Sequence, residues 1–308
     1  MSNEIESMFY VREVPWHGLG KQLEECPTSK DAIIEAGLDW SVEGRPIFDS
    51  KGREIPNYSA NTRTSDDSIL GIVTKKYKVV QNAEAFEFTD SLISDEVFYE
   101  TAGSLRNGKT VWLLAKMPET EILGDEIDPY ICFTNTHDGT GSIKVCMTPI
   151  RVVCANTLNF ALERASRMWT TRHMGNMVEK LAEAKRALGL ANEYMTELKS
   201  TSEQLATEAF SKDEFIKTID AMFPIDYIND SKRKINNAEY MKDSILQCYM
   251  APDINNFRNT KFGALMAVTD MVAHVAPNRV TQSYAENNWG KIMTGHPVVD
   301  EFYKRIAA

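Results

Sequence analysis

VFYETAGSLRNGKTVWLLAKM (97–117), PYICFTNTHDGTGSIKVCM (129–147) and TPIRVVCANTLNFAL (148–162) decide how this chain folds. They read as three or four long strands joined by tight, glycine-marked turns, with a helix following that reaches about Arg167. Asn107-Gly108 supplies the positive φ angles that a two-residue hairpin turn demands. The second turn, HDGTGS at 137–142, is looser and more polar. The expected class is α+β: a curved antiparallel sheet with flanking helices, which makes a platform for an extended ligand. No familiar catalytic motif sits on that platform.

On the N-terminal side, Thr28 or Ser29 is placed to cap a short helix over SKDAIIEAGL, which Gly37 ends. WSVEGRPIFDSKGREIPNYSANTRT reads as a hairpin bent at Ser50-Lys51-Gly52. ILGIVTKKYKVV (69–80) reads as a strand, and Asn82 as the cap of the helix AEAFEFTDSLIS. On the C-terminal side, Met177, Leu181, Ala184, Leu188, Ala191, Met195, Leu198 and Leu205 step by four and three, with Ser202 in the one polar place. That heptad register predicts one long helix over about 175–208, packed in its own domain or used as an inter-subunit arm. Ser211 caps SKDEFIKTIDAMFP and Pro224 stops it. A linker carrying Lys232-Arg233-Lys234 and three further helical segments complete the chain. The expected division is a platform domain over 1–172 and a mostly helical region over 173–308.

Composition narrows the function. With 43% apolar and 25% charged residues the chain is an ordinary globular protein, and its formal net charge is −10. Affinity for phosphate comes largely from cations that release counterions, so an acidic total opposes nucleic-acid binding unless the basic residues are segregated. They are: acids concentrate at 84–100, 119–128 and 193–214, whereas cations outnumber acids between Arg164 and Lys185. No apolar run approaches the roughly 20 residues needed to span a bilayer. The N-terminus lacks the order of a signal peptide, so the cytoplasm is the expected compartment. Five cysteines, at 26, 132, 146, 154 and 248, include no CxxC and indicate neither a disulfide framework nor a structural zinc site. Cys132, Cys146 and Cys154 read as small core hydrophobes.

The histidines, at 17, 137, 173, 274 and 296, form no HExxH or HxH. GxSxG and GxxxxGK[ST] are also missing, and HGLGK and DGTGS read as turns. No catalytic residue, metal or cofactor is assigned; for an enzyme, His17 and His137-Asp138 would be the starting points. The basic residues carry more. Lys75, Lys76 and Lys78 flank Tyr77, with Lys76 and Lys78 expected on one side of a strand and Lys75 and Tyr77 on the other. Arg106 and Lys109 flank the hairpin tip, Lys144 and Arg151 lie on the next strand, and Arg164, Arg167, Arg172 and His173 surround Trp169. Lysines that protect solvated strand edges explain such a pattern. So does a groove in which cations track a single strand's backbone and Tyr77 and Trp169 stack its bases.

VPWHGLGKQL, ILGIVTKKYKVVQNAEAFEF, AGSLRNGKTVWLLAKM and TPIRVVCANTLNFAL, in that order, resemble the phage/plasmid-like protein family built on the domain of unknown function 932. The resemblance covers roughly residues 8–300. It implies a phage or other mobile element as source, and so a bacterial cytoplasm, with no settled activity. The order helix, antiparallel sheet, helix is also similar to the core of single-strand annealing recombinases. That likeness implies an oligomer, a ring or filament, that binds single-stranded DNA without ATP and promotes pairing with a complementary strand. It makes Lys75, Lys76, Lys78, Arg106, Lys109, Lys144 and Arg151 the platform's DNA contacts. The competing expectation is a protein that binds a host factor, as a counter-defence or DNA-mimicking partner, for which the acidic surface and the heptad helix are suited.

Overall fold

The computed structural model describes residues 5–11, 20–91, 98–151, 156–157, 168–188, 191–281, 284, 291 and 295–307. Strand β1 (Ile5–Val11) pairs in parallel with the short β2 (Lys21–Leu23). Helix α1 (Ser29–Glu35) starts after Thr28 and is closed by Gly37 at φ +65°, as expected, but the Thr28 side chain makes no capping bond to the backbone and donates to Asp31 instead. Strands β3 (Val42–Phe48) and β4 (Glu54–Arg63) form the expected hairpin. Asp49 holds its bend, accepting from the backbone N–H groups of Lys51 (2.8 Å) and Arg53 (3.0 Å). Strand β5 (Ile69–Thr74) completes a three-stranded antiparallel sheet ordered β3-β4-β5.

Two local expectations fail next, both because distant groups compete for the same polar atoms. The strand predicted to run to Val80 stops at Thr74. Tyr77 N–H bonds back to Thr74 O, and residues 75–81 continue as an irregular strap. Lys75 and Lys76 therefore lie in a turn, where strand alternation does not apply. Helix α2 (Asn82–Asp90) is capped at Gln81 rather than Asn82. Glu84 accepts from Gln81 N–H at 2.7 Å, while the Gln81 side chain binds the main chain of Val42 in both directions. Asn82 is buried and spends its amide elsewhere.

The platform strands are β6 (Phe98–Leu105), β7 (Thr110–Lys116), β8 (Thr120–Ile122), β9 (Asp125–Thr136), β10 (Ile143–Arg151), β11 (Asn156–Thr157) and β12 (Met168–Thr171). At the β6–β7 hairpin Asn107 and Gly108 take positive φ as expected, and so does Arg106. Strand β10 carries Lys144 and Arg151, as expected; the helix expected to follow it falls largely outside the described residues. The sheet is ordered β2-β1-β6-β7-β9-β10-β11, with β12 on β10 and β8 on β9. It is antiparallel except for β1-β2. The fold is α+β, with an open, somewhat curved sheet.

The chain forms two compact units interleaved in sequence. The sheet unit comprises 1–117, 130–146 and 168–190; the helical unit comprises 118–129, 147–167 and 191–308. In the sheet unit a row of directly paired residues, Phe9, Ala102, Leu113 and Phe133, crosses four strands with every member fully buried. Phe88 of α2 meets Phe133 at 5.8 Å, so this face carries the core. Full burial contributes about 1.5–3 kcal/mol for each large apolar side chain.

The heptad stretch forms two helices, α3 (Met177–Leu188) and α4 (Ala191–Thr207), with residues 189–190 between them outside the described set. Helix α3 packs on β12 in the sheet unit. Helix α4 packs on α7 in the helical unit, where Leu198, Ser202 and Leu205 are buried. The helical unit continues with α5 (Lys212–Met222), α6 (Lys232–Tyr249), α7 (Lys261–His274) and α8 (Pro297–Ala307). Lys232-Arg233-Lys234 forms the first turn of α6 behind the cap Ser231, so it is not a linker. Phe215 lies between Tyr249 (4.5 Å) and Phe302 (5.7 Å) in the core. Among the described residues no helix is long and apolar enough to cross a membrane.

Candidate nucleic-acid interface

The strap is fixed along its length by main-chain bonds. Lys75 N–H donates to Asn57 O (2.9 Å) and Lys78 N–H to His173 O (2.9 Å). Asn135 donates to Val80 O (2.9 Å). The Tyr77 ring stacks on His173, centroids 4.4 Å apart and planes 14° apart, and its hydroxyl donates to Thr136 O. Burial, with Asp138 nearby, raises the Tyr77 phenol, so it stays protonated. Tyr77 thus has one face and its hydroxyl engaged, and it anchors the strap.

That anchoring brings distant cations into one neighbourhood. Lys78 is bonded through its main chain to His173, next to Arg172. Lys144 pairs with Thr170 across β10-β12. Lys180, on α3, donates to Arg172 O at 3.0 Å. Lys76, Lys78, Lys144 and Arg172 are exposed, Lys180 is half-buried, and none forms an ion pair with a carboxylate among the described residues. Lys180 is absent from the residues singled out by sequence; only its place in the cation-rich 164–185 stretch signals it.

The other expected contacts are distributed differently. Lys75 is exposed and faces Glu54 at 3.4 Å. Arg106 donates to Thr110 Oγ1 (2.5 Å) and lies 3.9 Å from Asp138, at the β6–β7 tip. Lys109 is half-buried, and its carbonyl accepts from His137 N–H. Trp169 is half-buried on β12, paired with Val145. Arg151 ends β10, with its main chain paired to Asn156. Its side chain, and Arg164 and Arg167 entirely, lie outside the described residues, as do His17 and Cys154. Cys132 and Cys146 are buried; their mutual hydrogen bond and burial raise the Cys132 thiol, which keeps it unreactive.

Beneath the strap lies a polar interior. Asn82 donates to Leu38 O (3.0 Å) and Trp40 O (3.3 Å), which leaves its Oδ1 as the acceptor for His137 Nε2–H at 3.1 Å. His173 Nδ1–H donates to Lys78 O at 2.9 Å. These acceptors fix the protonated nitrogen as Nε2 in His137 and Nδ1 in His173. Burial pushes His137 down to about 3, with the neighbouring His173 adding to the effect; burial also lowers His173. Asn61 donates to His137 O (2.7 Å), and Gly71 of β5 sits so close to Asp138 that an added Cβ would lie 2.5 Å from its Cα. Only glycine allows the 137–142 turn to rest on the small sheet there. His137 is thus a structural element of the turn, which its place in a glycine loop does not reveal.

Residues 69–289 match the family model described as Domain of unknown function (DUF932), and the chain belongs to that family. The match begins at β5 and takes in the strap, β12 and α3. No curated protein matches the chain. No solved structure matches it.

Proposed function

We propose that the chain is an ATP-independent single-stranded DNA binding and strand-annealing protein of a phage or other mobile element. One observation carries the reading: Lys76, Lys78, Lys144, Arg172 and Lys180 lie on three segments that main-chain pairing and hydrogen bonds hold together, with no carboxylate partner among the described residues. In an acidic protein, cations left unneutralised beside one another form a local phosphate-binding surface. The engaged Tyr77 ring suits annealing, because a strand held by its phosphates keeps its bases free to pair. Assembly into a ring or filament extends such a surface along one strand.

Anisotropy of a labelled oligonucleotide tests the reading. Binding at low salt without ATP is expected, with affinity falling as salt rises by about 0.7 log units per log unit for each phosphate contact. The triple variant Lys76→Gln/Lys78→Gln/Arg172→Gln should bind about tenfold more weakly in this assay, from about 0.5 kcal/mol per exposed contact. No binding by the native chain at low salt removes the reading.

A second reading has its own observation. On the three-stranded sheet Tyr58, Ile69 and Ile72 are exposed, with Ile72 paired to Ala60 and Tyr58 to Thr74 on one face. An apolar face on an acidic chain suits a protein partner, such as a host factor. Capture of one host protein by the native chain, lost on Ile72→Asp, with no oligonucleotide bound, would favour it over DNA.

A further inference from the structure

We infer that His173 is the positioning residue of the cationic surface, holding Lys78 and Arg172 at a fixed spacing so that one strand's phosphates meet both. The inference rests on the reading of that surface as a path for single-stranded DNA. Its basis is a reciprocal pair of bonds between segments 95 residues apart. Lys78 N–H donates to His173 O, and His173 Nδ1–H donates to Lys78 O, both at 2.9 Å. The Tyr77 ring lies flat on the imidazole, and its hydroxyl reaches Thr136 O. On the other side of His173, Thr171 is paired with Ile143 and the carbonyl of Arg172 accepts from Lys180. Met174 N–H returns to the same carbonyl at 2.8 Å, and Gly175 at φ +82° turns the chain toward α3.

Lys78 and Arg172 therefore lie on two segments joined at His173, by one main-chain bond and one bond through its buried ring. His173 itself is almost fully covered, at 3% exposure, so it does not touch a strand passing outside. Its contribution is preorganisation. Two cations held at a set spacing lose less freedom on binding than two that move independently. Without the ring, Lys78 O loses its donor and Tyr77 its stacking partner, and only the main-chain bond from Lys78 N–H to His173 O still ties the strap to the segment after β12.

The salt dependence of oligonucleotide binding separates this role from a purely structural one. Partial unfolding lowers the active fraction, which appears in the titration stoichiometry. The slope of log affinity against log salt instead counts phosphates neutralised together. His173→Ala is expected to make that slope shallower by about 1.4, two contacts at about 0.7 each. His173→Asn, whose Nδ2 takes the place of Nδ1, should keep the native slope. In the His173→Ala background, Lys78→Gln should change the slope no further. If His173→Ala does not fold, Tyr77→Leu removes the stacked ring while leaving His173, and is expected to lower the slope by about half as much. A steep native slope that His173→Ala or Tyr77→Leu leaves unchanged overturns this inference and spares the DNA-binding reading. Absence of binding by the native chain overturns both.

Discussion

Under the strap of the sheet unit, Asn61, Asn82, Asn135, His137 and His173 are buried and bonded to main-chain or side-chain oxygens. Inside the helical unit, Phe215, Tyr249 and Phe302 meet ring against ring, with Phe262 close to Phe257. Among the described residues its buried polar groups are Asp128, Ser202, Ser244 and Thr269, and none of them is an amide or an imidazole. The contrast separates two ways of specifying a structure. Apolar packing rewards volume and tolerates rearrangement, whereas a buried amide or imidazole is favourable only in the arrangement that satisfies its hydrogen bonds. The sheet unit uses the second kind where segments far apart in sequence must meet at a fixed register.

The strongest way to break this comparison is acid. His137 has a folded pKa of about 3 against an ordinary 6.5, so the unfolded chain takes up a proton first as pH falls. The stability tied to its neutral form is complete above about pH 6.5 and is lost between there and pH 3, on the order of 4 kcal/mol in all. Urea unfolding between pH 7 and pH 4 should show His137→Gln with a shallower loss of stability than the native chain. Parallel curves would mean that the buried polar interior is not what acid attacks. His296 of the helical unit, pushed down to about 4 by burial and Lys291, titrates in the same window, so the difference between the two curves isolates His137.

Asn82→Ala is the next test. It takes partners from Leu38 O, Trp40 O and His137 Nε2 at once, and should cost about 2–3 kcal/mol by chemical denaturation. A loss under about 1 kcal/mol would mean that water replaces the amide readily and that the network specifies little. The smallest expected effect sharpens the helical side. Ser211 accepts from Glu214 N–H at 3.2 Å and Glu214 accepts from Ser211 N–H at 2.8 Å, a reciprocal cap of α5. Ser211→Ala should cost about 1 kcal/mol at neutral pH and, because the Ser211 hydroxyl holds the Glu214 carboxyl below its ordinary value, should lessen the loss of stability as that carboxyl is protonated.

Legibility in the sequence followed the range of the forces involved. The Asn107-Gly108 turn, the Gly37 stop, the Ser211 cap and the strands β6, β7 and β9 were all readable, because each is set by residues a few positions apart. The reading of Lys76 and Lys78 as same-side strand residues failed because Tyr77 turns back onto Thr74 and stacks on His173, a partner 96 positions away. Asn82 was assigned a cap it does not form, because the carbonyls of Leu38 and Trp40 compete for its amide. The heptad pattern placed Ala184, Leu198, Ser202 and Leu205 on buried faces.

The sequence by itself determined the strand and helix content, the turn and cap chemistry, the acidic total and the set of cations available. Tertiary structure alone decided which cations stand together, which imidazole nitrogen carries the proton, and that Tyr77 is an anchor. The physical reason is that local conformation follows from short-range sterics and hydrogen bonds along the backbone. The meeting of Lys78, Arg172 and Lys144 depends instead on pairing register and on the burial of polar groups whose partners lie about a hundred residues away.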